Sequence, residues 1–270
     1  MIALFPSYIR RFLILSGVLI GALLLLFFLV PGTNPIVIAI VGVPGVLLFL
    51  VSQATEANKA HIQLVNILYE QLDTERFLRS YEPLLSKKVR NPNVDLTLRL
   101  HLSNAYTATG EYAKAEQTLL DASPLTGKNP EKGLLSRFAV ISNLCFCKEQ
   151  EQKTDEAGVY LQQLLDIKKQ LEQIQQTKPE KKRLTFNTSF NETCYAFLKD
   201  GVANPNALHD LVQKNTTQLE RISISLWTAR MYIKDNRISE ARELLERIVK
   251  VGSHLSYGRQ AKTLLDSITV

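Results

Sequence analysis

Four histidines, three cysteines and 26 carboxylates are the groups with which this chain could do acid–base, nucleophilic or metal chemistry. Their spacing assembles none of it. His61, His101, His209 and His254 fall on separate predicted helices, without the His-x-x-x-His spacing that sets two imidazoles on one helix face to hold a metal. Cys145 and Cys147 stand two apart on a predicted helix, so their side chains diverge and are poorly placed to bridge, and no Cys-x-x-Cys occurs. Gly127-Lys128 lacks the earlier glycine and the following Ser or Thr of a phosphate-cradling loop, and there is no Gly-x-Ser-x-Gly nucleophile elbow. The carboxylates are spread along many helices and read as solvated faces. The expectation is a non-enzyme with no metal and no cofactor.

The elements that position these side chains are helices. A chain of 270 residues that is 46% hydrophobic, with only 12 Gly and 10 Pro, is too poor in breakers for an all-β fold and long enough for a sizeable domain plus an appendage. Three cysteines make no disulfide framework, which fits a reducing compartment. The net charge of +6 includes Arg10 and Arg11, and the other cations are interspersed with acids rather than gathered into a stripe. That distribution argues against nucleic acid and for a protein working beside anionic lipid.

Residues 12–30, FLILSGVLIGALLLLFFLV, are apolar and uncharged, and at about 1.5 Å per residue they suffice for a hydrocarbon core of about 30 Å. A signal peptide is the rival reading, since Arg10 and Arg11 resemble a charged leader; the length of the run and the absence of a small-residue cleavage site before Pro31 argue for retention. A second apolar run, 35–53, follows the uncharged turn, with Gly42, Pro44 and Gly45 tolerated if a neighbouring helix covers the freed backbone groups. Gly17 and Gly21 form a small-xxx-small face for that neighbour, although such spacing is also common by chance in apolar segments. Two spans with arginines before the first place both ends in the cytoplasm. The expected organisation is a transmembrane hairpin over 1–53 (12–30 and 35–53) in the lipid bilayer, then a cytoplasmic domain over 54–270. The sequons at Asn187, Asn191 and Asn215 would then carry no glycan.

The stretch 99–122, RLHLSNAYTATGEYAKAEQTLLDA, reads as two short amphipathic helices joined at Gly110. Leu102, Ala105, Tyr106 and Thr109 share one face, and Tyr112, Ala115, Leu119 and Ala122 share another. Gly110 suits the left-handed residue that ends a helix, and Pro124 stops the second one. The order Leu102, Ser103, Tyr106, Gly110, Ala115, Leu119, Ala122 resembles the tetratricopeptide repeat, with Arg99 and Gly127 where that family has tryptophan and proline. Thr228, Ala229, Tyr232, Asn236, Ala241 and Leu245 fall in the same order near the C-terminus. Between them, a pair beginning at Pro130 keeps the apolar spacing of Ala157 and Leu161 but has Lys148 for the tyrosine and no turn glycine.

Elsewhere the pattern is looser. Ile62, Val65, Leu68, Tyr69 and Leu72 face Phe77, Leu78, Tyr81, Leu84 and Leu85, with Pro83 expected to kink or shorten the second helix. The basic stretch Lys178 to Arg183 reads as a solvated helix start, the pair after it is irregular with a turn at Gly201 to Pro205, and a helix over 255–268 caps the stack.

The fold expectation is therefore all-α: a two-helix transmembrane hairpin followed by a tetratricopeptide-like α-solenoid of antiparallel helix pairs. The resemblance implies a concave groove lined by first helices, at Leu100, Asn104, Thr107, Phe146, Glu149, Leu226, Arg230 and Lys234. Asn104 would bond a bound peptide's backbone, and Arg230 and Lys234 would meet an acidic side chain or a C-terminal carboxylate. The expected function is a membrane-anchored adaptor for a protein or peptide partner; the alternative is hairpin-driven assembly of a membrane protein, with the repeats as a structural cap.

Overall fold

A computed structural model describes residues 14–18, 21, 51–52, 55–86, 91–122, 130–174, 177–212 and 216–268, and the chain divides into two units, 1–65 and 66–270. The protein is all-α: no strand occurs among the described residues.

In the first unit the structure corrects the expected localisation. Among the described residues no helix is long and apolar enough to cross a membrane. Residues 14–18 are helical, and the helix over 55–69 carries Glu56 and Lys59, ion-paired at 2.8 Å. A span needs about 20 apolar residues, and each such charge at a bilayer centre costs about 3 kcal/mol. The two-span membrane placement with cytoplasmic ends is overturned on this ground. The greater part of the expected spans 12–30 and 35–53 lies outside the described residues.

The second unit is a succession of helices: α1 (Thr74–Ser86), α2 (Pro92–Thr109), α3 (Tyr112–Leu120), α4 (Pro130–Gln150), α5 (Thr154–Glu172), α6 (Lys178–Asp200), α7 (Pro205–Leu211), α8 (Gln218–Lys234), α9 (Ile238–Gly252) and α10 (Ser256–Ser267). Their starts follow from the caps. Asn91 accepts the Asn93 N–H before Pro92, and Thr177 with Glu180 and Thr217 with Glu220 form reciprocal capping boxes at α6 and α8. The basic residues 181–183 are exposed on the first turns of α6, as a solvated helix start requires. Helix α1 continues through Pro83 to Ser86.

One turn recurs. Gly110, Gln152 and Asn236 all take the left-handed conformation, with φ of 87°, 60° and 59°. After each, the next amide donates back into the preceding helix: Glu111 to the Tyr106 carbonyl, Lys153 to Lys148 and Arg237 to Tyr232, at 2.8, 3.0 and 2.8 Å. At the same offset beyond each turn sits a fully buried alanine, Ala115, Ala157 or Ala241, and one helical turn later a buried leucine, Leu119, Leu161 or Leu245. The alanine lets the second helix approach the first, and each buried leucine contributes about 2 kcal/mol. Leu72, at φ 61°, opens the same arrangement, with buried Phe77 and Tyr81 in the alanine and leucine places. The pair α6 and α7 departs from it: Gly201 takes the left-handed turn, but α7 is a short helix.

Helices α2, α4 and α6 neighbour one another in order, and α8 lies against α7, α9 and α10. The stack does not stay open. Helix α10 reaches back to α2: the Ser256 hydroxyl donates to the Thr107 carbonyl at 3.2 Å, and Arg259 to the Thr109 carbonyl at 2.7 Å. His254 Nε2 donates to the Leu72 carbonyl at 2.6 Å, so the C-terminal end closes against the start of the unit. The approach of α9 to α10 depends on Gly258, where a β-carbon would strike the Gly252 carbonyl.

Candidate functional site

Closure turns the inner faces of the first helices into the wall of a cavity of about 120 Å³. Two chemistries meet there. Phe146, Phe186 and Phe190 form an aromatic side, with Phe186 and Phe190 stacked at 6.4 Å and Phe146 tilted against Phe190 at 5.7 Å. Lining the cavity as well are side-chain amides from three helices, Asn104 of α2, Asn143 of α4 and Asn187 and Asn191 of α6. Arg183 and Glu220 are exposed members of the lining and carry opposite charges.

The amides are held in place by bonds to the framework. Asn104 donates to the Tyr69 hydroxyl at 2.7 Å, and that hydroxyl lies 3.0 Å from His101 Nδ1. Burial pushes the Tyr69 phenol up to about 12, so it is a neutral positioning group. Asn191 is 1% exposed; its Nδ2 donates to the Ser142 hydroxyl at 3.2 Å and to the Asn187 carbonyl at 2.9 Å. Its Oδ1 has no partner among the described residues. An unpaired buried amide oxygen costs about 1–3 kcal/mol, which a donor entering the cavity would recover.

A second pocket, of about 320 Å³, lies between α6, α8 and α10. Its walls are mainly apolar, with Phe197 edge-on to Trp227 at 6.2 Å. Arg230 and Lys234 belong to the same lining. The Arg230 guanidinium lies over the Trp227 ring at 4.5 Å and donates to Gln260 Oε1 at 2.6 Å.

The expected groove positions are thus divided. Asn104 and Phe146 line the central cavity, and Arg230 and Lys234 line the second pocket. Thr107, Glu149 and Leu226 are buried, and Leu100 is half-buried. Gly17 and Gly21 lie in the first unit, and no atom of the described residues is within 4 Å of a β-carbon placed at either. Sequence reasoning missed Asn143, Asn187, Asn191 and the phenylalanines of α6. Their one signal is the run Phe186, Asn187, Phe190, Asn191, which repeats an aromatic and an amide at helical spacing.

Nucleophiles are poorly served. Cys145, Cys147 and Cys194 are buried free thiols, and burial pushes Cys147 up to about 12 and the other two upward as well. No family model, no curated protein and no solved structure matches this chain.

Proposed function

We propose that this protein is a non-catalytic, tetratricopeptide-like adaptor that takes a short segment of a protein partner into its central cavity. The observation that carries the reading is the convergence of side-chain amides from α2, α4 and α6 with a phenylalanine wall on one cavity, where Asn191 Oδ1 waits for a donor. Amides offer both a donor and an acceptor, which suits a peptide backbone, and the aromatic wall suits an apolar side chain. The recurring turn at Gly110, Gln152 and Asn236 supports the repeat character of the scaffold. Buried, protonated thiols support binding without chemistry.

The test is photo-crosslinking of the full chain from position 104 and from position 187. One partner segment caught from both, which as a synthetic peptide then binds the purified protein and shifts the Asn191 side-chain amide resonances, is the expected result. Failure of that peptide to move Asn191 would refute the reading.

A further inference from the structure

We propose that the pocket between α6, α8 and α10 binds a carboxylate carried on an apolar body, with Arg230 and Lys234 holding the anion and Phe197, Leu198, Ile233 and Leu264 enclosing the rest, above the buried Trp227 ring on which Arg230 rests. This site is separate from the central cavity, and none of its residues lines both.

Arg230 is a cation without a counter-charge among the described residues. Arg230 is half-buried, yet its bonds go to a neutral amide and an indole face. No ion pair joins Arg230 or Lys234 to any of the described acids, and every Asp and Glu of the chain lies among the described residues. The groups that bear electrostatically on Arg230 are the Cys194 thiol and the Tyr112 phenol, both pushed upward by burial and so uncharged at neutral pH. A guanidinium withdrawn from water without an anion is costly, and burial lowers its pKa accordingly. The remedy is an anion from outside.

The pocket defines that anion. Gln260 and the Trp227 face occupy part of the guanidinium, leaving N–H groups for a planar acceptor, and carboxylate matches the fork. Lys234 is exposed, and its Cε lies 3.4 Å from the β-carbon position of Gly201, which places a second cation on the lining. The remaining walls are hydrocarbon and aromatic, so a bare inorganic ion would leave them unfilled. The Trp227 indole N–H also lacks a partner among the described residues. Two sources present this chemistry: the C-terminus of a peptide ending in an apolar residue, and a free aliphatic carboxylic acid.

Trp227 is the one tryptophan of the chain, so its fluorescence reports the pocket directly. Full-length protein would be titrated with octanoate, octanamide, inorganic phosphate, and a pentapeptide ending in leucine as free acid or as amide. Saturable change with octanoate or with the free-acid peptide, at least about tenfold tighter than its own amide, is expected. Octanoate alone identifies a free acid, and the peptide alone identifies a chain terminus. Lys234→Gln, at an exposed position, should weaken the carboxylate by about threefold and leave the helical circular dichroism unchanged, and Arg230→Gln should weaken it further. Equal binding of acids and amides, phosphate binding as tightly as either acid, or no saturable change with any carboxylate would overturn the proposal.

Discussion

Lys148 Nζ lies 2.7 Å from a carboxylate oxygen of Glu116, across the junction of α3 and α4, with the lysine side chain 2% exposed. Glu156 and Glu151 complete a cage at 2.8 and 3.3 Å. Desolvation alone would lower the lysine pKa, and the three carboxylates reverse it, so the ammonium is held above its ordinary value. Lys148 stands where Tyr106 and Tyr232 stand in the pairs that keep the aromatic pattern, each receiving the amide that follows the left-handed turn. An ion cage thus replaces an aromatic ring at the same joint.

Lys148→Met should therefore cost about 3 kcal/mol at neutral pH, because it leaves Glu116, Glu151 and Glu156 facing one another without their shared cation. The raised lysine contributes its full stabilisation below the unfolded lysine pKa and loses it as pH rises through the folded value. Glu156, lowered by its bond to Lys148, contributes above the unfolded carboxylate pKa and loses that contribution on acidification. Urea denaturation across pH should show the largest gap between wild type and variant in the neutral window, narrowing toward pH 4. A gap that is constant with pH would show the cage to be inert.

Glu149, one residue on, behaves in the opposite sense. It is fully buried, accepts from the Cys145 thiol at 3.4 Å through Oε1, and has no partner for Oε2 among the described residues. Burial holds its carboxyl well above the ordinary range. The unfolded chain releases this proton near pH 4 while the folded chain keeps it, so stability falls as pH rises above the unfolded pKa, by at most about 1.4 kcal/mol per pH unit. Glu149→Gln should remove that slope and leave the protein more stable than wild type at pH 7, as read by denaturant midpoints between pH 4 and 8.

Closure of the stack rests on two glycines with different tolerances. At Gly258 a β-carbon meets backbone of Gly252 and Ser253, which cannot step aside. At Gly252 the neighbours are the ends of Ile222 and Leu255, at 3.3 Å. Gly258→Ala should destabilise by about 2 kcal/mol or more and expose α2 amides near Thr107 to faster hydrogen exchange. Gly252→Ala should cost under about 1 kcal/mol, since flexible side-chain ends give way.

The sequence made the pair around Gly110 legible because glycine, alanine and leucine each carry a local physical meaning. Gln152 was not legible as its counterpart: glutamine has no preference for the left-handed region, and its conformation is imposed by α4 meeting α5. Lys148 read as a departure from the pattern, since two of the three acids that justify it come from α3 and from the start of α5. The closure was invisible for the same reason, as Ser256 and Thr107 meet across 149 residues. The apolar run at 12–30 was read from composition alone, which cannot by itself establish a spanning helix; the described residues contain none. Arg230 and Lys234 were singled out through the repeat resemblance as cations for an anion, and what sequence could not supply was that neither forms an ion pair among the described residues.

Asn191 separates a binding role from a structural one. Its amide already serves the framework through Ser142 and the Asn187 carbonyl, while its oxygen serves nothing within the described protein. Leucine of similar size removes the unsatisfied oxygen and sacrifices the two bonds that Nδ2 donates, to the Ser142 hydroxyl and to the Asn187 carbonyl, so gain and loss offset to about 1 kcal/mol of stability. A partner segment that donates to the oxygen would lose a hydrogen bond in a desolvated site, worth about tenfold in affinity. Asn191→Leu should therefore keep its melting temperature within a few degrees and bind the cross-linked peptide about tenfold more weakly. Unchanged affinity would make the asparagine a core residue whose oxygen is left unpaired in the working protein.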